Sequence, residues 1–143
     1  MKRFEFSLNK LFDLRQFREK QAELQLGKAL SHRDAVQALL DDVARKRVQA
    51  STSRGETVAV EELIAIERYI FRLDQRKEEL FEELAAAELI LERAREEFAS
   101  ASRDRQVLEK LKDKKQAEWR KDYLSEEASM LDDLTSSKRA DRD

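Results

Sequence analysis

Between Leu63 and Leu108 the chain places its apolar residues at alternating steps of three and four. The positions are Leu63, Ile66, Ile70, Leu73, Lys77, Leu80, Leu84, Ala87, Leu91, Ala94, Phe98, Ala101, Arg105 and Leu108, and twelve of these fourteen are apolar, counting alanine. A 3.5-residue period held this long specifies a left-handed coiled-coil seam, because only a supercoiled helix keeps such a row facing one partner. Charged residues flank the row, among them Arg72, Arg76, Glu78, Glu79, Glu82, Glu83, Glu92 and Arg93. The whole chain has 143 residues, no proline, no cysteine and two glycines, and 42% of it is charged. Proline and glycine punctuate turns, so this chain has few. Strand formers show no sustained alternation. The fold class expected is all-α: two long helices forming an antiparallel coiled-coil hairpin, with the second helix overhanging at its C-terminal end.

The hairpin follows from one break. Residues 51–57, STSRGET, gather small polar residues that favour turns and caps. Thr57 is a candidate N-cap with Glu61 and Glu62 at the positive helix end, and Ser53 with Glu56 is an alternative capping box. The expected organisation is a single domain over 1–143: helix one about 7–52, a tip about 53–56, helix two about 57–135, and a disordered tail at 136–143. Helix one carries a weaker stripe through Leu8, Leu11, Leu14, Phe17, Leu24, Ala29, Val36, Leu39 and Val43. That spacing requires a stutter between Phe17 and Ala29. Gly27 lies in this zone, either as a tolerated glycine or as a bend or close approach.

Helix one is matched by helix two only to about residue 105, so the sequence from Leu108 onward is expected to lack an intramolecular partner. From Arg103 to Lys121 it has eight basic and four acidic residues, and from Asp122 to Asp133 five acidic and none basic. Leu111, Trp119, Tyr123, Leu124, Met130, Leu131 and Leu134 stay apolar within it. Aromatic and aliphatic side chains left on a solvated helix suit a partner's groove. The other reading of Trp119 is that Leu111, Lys115 and Trp119 finish the seam against Phe4, Phe6 and Leu8. Both readings stay open on the residues alone. Near the tip Tyr69 and Phe71 stand out, and Tyr69, off the seam beside Ile70, is expected to be exposed.

Catalytic chemistry has little to work with. His32 is the only histidine, lies among polar residues, and has no nucleophile context. Neither GxxxxGK[ST] nor GxGxxG occurs, and the absent cysteines remove thiolate sites. No enzyme, cofactor or metal site is expected. A net charge of −2 offers no field for nucleic acid or a membrane surface, and no apolar run approaches the ~20 residues of a spanning helix. The basic stretch is broken by Glu109, Asp113 and Glu118 and lies C-terminal to its seam, unlike the basic helix of a bZIP protein. A cytoplasmic protein with no direct membrane insertion is expected.

The opening FEFSLNKLFDLRQFREKQAELQLGKA resembles the start of the flagellar export protein FliJ family, with Phe4, Phe6, Leu8, Leu11, Arg15 and Glu19 at the matching positions. The stretch LEKLKDKKQAEWRKDYLSEEASMLDDL is similar to that family's end through Glu109, Lys110, Leu111, Lys112, Trp119, Leu131, Asp132 and Asp133. Tyr69 and Leu73 resemble an aromatic-x-x-x-Leu pair early in the family's second helix. The resemblance spans nearly the whole chain. It implies a non-enzymatic stalk of the flagellar type III export apparatus, a monomeric hairpin held peripherally at the inner membrane. The implied partners are the hexameric export ATPase, the cytoplasmic domain of the export gate's membrane protein, and export chaperones. For the ATPase ring, the implied contacts are Phe4, Phe6, Leu8, Leu11, Arg15, Leu111, Lys115, Trp119, Tyr123 and Leu131. For the gate they are Tyr69 and Leu73. Two alternatives stand beside this reading: the equivalent stalk of a virulence injectisome, and a generic self-associating coiled-coil spacer.

Overall fold

In a computed structural model that describes residues 2–55 and 59–142, the chain forms two α-helices packed against each other as an antiparallel hairpin. Helix α1 runs Asn9–Arg54 and helix α2 runs Val60–Arg142. The described residues contain no strand. Helix α1 runs two residues into the expected tip, to Arg54, with the Thr52 and Ser53 hydroxyls donating back to the carbonyls of Val48 and Gln49. Ser53 therefore belongs to α1 and does not begin a capping box, while Glu56 and Thr57 lie outside the described residues. Glu61 and Glu62 sit in the first turn of α2, where the helix dipole favours carboxylates. At its other end α2 continues through 136–142, where a disordered tail was expected. That segment holds no proline or glycine, and its Lys, Arg and Ala residues are good helix formers.

The packing divides into two compact units, Gln21–Ala99 and Met1–Lys20 with Ser100–Asp143. In the first, which contains the tip, Val36, Leu40, Val43, Leu73 and Leu80 form one core cluster with Leu84 against it. Ala29, Leu91 and Ala94 form a second with Leu26. Leu80 is the most enclosed large side chain, 1% exposed. Two ion pairs cross between the helices: Arg47 to Asp74 at 2.7 Å and Arg54 to Glu67 at 2.7 Å. In the second unit Phe12 and Leu108 are buried, and Arg105 reaches Glu19 across the helices at 2.5 Å. In each unit a step forward on α1 meets a step backward on α2, as an antiparallel hairpin requires.

The α2 seam lies where the heptad puts it. Every position from Ile66 to Leu108 in the repeat is buried or half-buried, and only Leu63, beside the tip, is exposed. Lys77 and Arg105 fit because long aliphatic stems cover apolar neighbours while the charge reaches outward.

The α1 seam differs from the expected stripe. Its covered positions are Phe12, Arg15, Glu19, Ala22, Leu26, Ala29, Arg33, Val36, Leu40, Val43, Arg47 and Ala50, again in unbroken steps of three and four. No stutter occurs. Leu11, Leu14, Phe17, Leu24 and Leu39 lie off this row and are exposed, and Leu8, one step of four before Phe12 and outside α1, is exposed as well. Following leucines misplaced the row because four of its true positions carry charge, three of them (Glu19, Arg33 and Arg47) recurring every second heptad. At Arg33 the buried Nε lies 3.1 Å from an Asp34 carboxylate oxygen without hydrogen-bond alignment. Gly27 lies within the continuous α1, and a β-carbon added there meets nothing within 4 Å. It is a helical glycine with no close approach.

Candidate functional site: the aromatic end of the second helix

In the unit formed by residues 1–20 and 100–143, pairing does not stop at Leu108. Lys112 Nζ donates to Asn9 Oδ1 at 3.4 Å and stands 5.1 Å from the centre of the Phe12 ring, a cation over an aromatic face. Arg15 Nη1 donates to the Asp104 carbonyl at 2.8 Å. Beyond the start of α1, residues 2–8 continue alongside α2 outside any helix. The Trp119 indole N–H donates to the Lys2 carbonyl at 3.2 Å, and the Phe4 ring lies 6.0 Å from it, tilted by 52°. Tyr123 stacks on Trp119 with ring centres 5.5 Å apart and planes 20° from parallel. Of the second reading, the structure shows the part that concerns Trp119, which meets Phe4 and the Lys2 carbonyl of the N-terminal segment, whereas Lys115 and Leu8 are exposed. Counting helical residues missed this because a segment outside the helix carries the pairing onward.

The other residues singled out for the ring divide by exposure. Phe4, Phe6, Arg15, Leu111, Trp119 and Tyr123 are half-buried. Leu8 and Leu11 are exposed at the margin of the seam. Lys115 is exposed, with its ammonium 3.6 Å from Glu118. A hollow of about 460 Å³ opens between residues 2–7 and Lys115, Glu118, Trp119 and Asp122. The carboxylate of Glu127, one turn on, accepts from the Tyr123 phenol and adds its charge, raising the phenol's pKa above 10.0. From Leu124 to Arg142 every described residue is exposed. Leu124, Met130, Leu131 and Leu134 stand on this stretch at 58–65% exposure. These four side chains give the stretch an exposed apolar surface.

In the unit that contains the tip, Tyr69 is exposed and Leu73 is buried in the core cluster with Leu80. Leu73 thus supports the surface from beneath. An apolar hollow of about 590 Å³, absent from the sequence reading, lies on α2 between Leu63, Ile64, Glu67, Arg68, Phe71 and Arg72. Its signal was available, since Val60, Ile64 and Phe71 follow a second heptad-spaced row behind the seam.

His32 is exposed on α1. Among the described residues no group of three His, Asp or Glu side chains converges to hold a metal ion, and no helix is long and apolar enough to cross a membrane.

No curated protein and no solved structure matches the chain. The family model of the flagellar FliJ protein matches residues 4–142, which takes in the N-terminal aromatic segment, both helices and the exposed end of α2. The chain belongs to the FliJ family of flagellar proteins.

Proposed function

We propose that this chain is the non-enzymatic stalk of a flagellar type III export ATPase, whose exposed α2 end enters the ATPase ring and promotes its assembly. Membership of the FliJ family makes it a component of the flagellar export apparatus. The observation that carries the finer reading is the stretch 124–142, helical, exposed throughout and furnished with Leu124, Met130, Leu131 and Leu134. A helix without a partner along one apolar face is the form in which a groove receives it. Trp119, held by Phe4 and Lys2, and Tyr123 stacked on it form the base from which it extends. In this reading Arg15 and Leu111 hold that base together, and Leu8, Leu11 and Lys115 meet the rim of the ring.

The unit with the tip would meet the cytoplasmic domain of the export gate's membrane protein, through Tyr69 and the apolar hollow beside Phe71. The same surface is available to export chaperones. The protein would then act in the cytoplasm, held peripherally at the inner membrane by these partners. A photoreactive residue at position 131 should cross-link to the export ATPase, and one at position 69 to the gate protein. Cross-linking at 131 to neither, with the ATPase present, would remove the stalk reading.

A further inference from the structure

The two compact units are held by different chemistry. The unit that contains the tip buries seven branched aliphatic side chains, from Val36 to Leu91. Its ion pair between Arg47 and Asp74 stays near the surface, with 43% and 41% of the side chains exposed. In the unit formed by residues 1–20 and 100–143, only Phe12 and Leu108 are buried among the described residues. One heptad on from Phe12 the seam is filled by Glu19 and Arg105, each with 20% of its side chain exposed. Desolvating such a pair offsets much of its attraction, so it holds the helices less firmly than an apolar layer would. The other hydrogen bonds from residues 2–20 to α2 are polar clips: Arg15 to the Asp104 carbonyl, Lys112 to Asn9, and the Trp119 indole to the Lys2 carbonyl. Phe4, Phe6 and Trp119 are half-buried.

The free energy of a local opening follows the apolar contact that must be given up, so these two units should not open together. We infer that residues 2–20 form an arm that detaches from residues 101–123 of α2 while the unit with the tip stays paired. The Glu19–Arg105 pair is the catch that sets how readily the arm detaches. Arg105 also donates to Glu109, one turn on along α2. When the arm leaves, Arg105 keeps that partner and Glu19 enters water, so opening strands neither charge. Removing Arg105 does strand one, because the closed form then holds Glu19 half-buried without its cation. The closed arm covers Phe12 and half-covers Phe4, Phe6 and Trp119, and the open arm offers all four aromatic side chains. A partner that binds one of the two states better shifts the arm toward it. The inference does not depend on the stalk reading, which takes the exposed end of α2 as it stands.

The test is thermal unfolding of the full chain followed by two probes, with amide hydrogen exchange at 25 °C as a third measurement. Trp119, the single tryptophan, reports the arm through its emission, and far-ultraviolet ellipticity reports the helices as a whole. The same measurements are made on Arg105→Ala, on Glu19→Leu combined with Arg105→Leu, and on Val36→Ala in the core of the other unit. The native emission change should come at a lower temperature than the main loss of ellipticity. Arg105→Ala should lower the emission midpoint by about 5 °C or more and leave the main ellipticity midpoint in place. It should also speed exchange in residues 12–20, on the other helix, by roughly tenfold. The leucine pair should restore or raise the emission midpoint, and Val36→Ala should lower the main ellipticity midpoint without lowering that of emission. A single transition reported alike by both probes, and shifted as one by Arg105→Ala, overturns the inference, since the hairpin then opens as a whole. An early emission change that Arg105→Ala leaves unmoved, with exchange in 12–20 at the native rate, also overturns it, because residues 2–8 then fray alone.

Discussion

Leu39 and Leu40 are adjacent and identical in chemistry, and the hairpin treats them oppositely. Leu40 is 7% exposed and packs with Val36, Val43, Leu73 and Leu80, whereas Leu39 is 46% exposed. Truncating Leu40 to alanine removes its transfer free energy and leaves a cavity between two helices that are locked at other layers. Buried Leu→Ala changes of this kind cost ~2–5 kcal/mol. At position 39 about half of the side chain is already in water and no cavity forms, so Leu39→Ala should cost under ~1 kcal/mol. For a chain of this size, each kcal/mol moves the midpoint of thermal unfolding by roughly 2–5 °C. Leu40→Ala should therefore lower that midpoint by roughly 4–25 °C, and Leu39→Ala by less than about 5 °C. Thermal and urea unfolding followed by circular dichroism read both. Equal losses, or a larger loss at Leu39, would refute the α1 seam described above.

Three further outcomes follow from single contacts. The Asp74 carboxyl is held below its ordinary 3.8 chiefly by the hydrogen bond from Arg47. A carboxyl lowered in the folded state stabilises fully above its ordinary value and stops doing so as pH falls through the lowered one. Asp74→Asn should thus lower the unfolding midpoint near neutral pH, and the two proteins should converge well below pH 3.8. Gly27→Ala should stabilise by ~0.5–1 kcal/mol, since alanine gains helix propensity and meets open space, and an unchanged or lowered midpoint would contradict this. Trp119 is the only tryptophan, so its emission reports the Phe4 contact directly. Phe4→Ala should shift that emission to the red, and an unchanged spectrum would mean that residues 2–8 do not cover the indole in solution.

The heptad of α2 was legible because apolar residues fill it at nearly every step, so phase and function of the row coincide. On α1 they separate. Arg15, Glu19, Arg33 and Arg47 occupy seam positions while Leu11, Leu14, Phe17 and Leu24 stand outside. A count of apolar residues follows the leucines, and only the partner helix shows which row it covers. The same limit applied at Trp119. Its two readings differ only in where residues 2–8 run, and a segment outside the helix carries no periodicity to fix its path. Tyr69 was found by its position off the seam, whereas its companion Leu73 belongs to the core. The hollow beside Phe71 was missed because a second apolar row on a charged helix draws less notice than the seam.

The most direct test of the account is ATP hydrolysis by the cognate flagellar export ATPase, measured with the full chain and with a chain ending at Tyr123. That truncation keeps the packed seam and the Trp119 cluster and removes the exposed helix. The account predicts that the full chain stimulates hydrolysis and the shortened chain does not, while tryptophan emission and unfolding midpoint stay close to native. Equal stimulation by both chains, or none by the full chain, would contradict it.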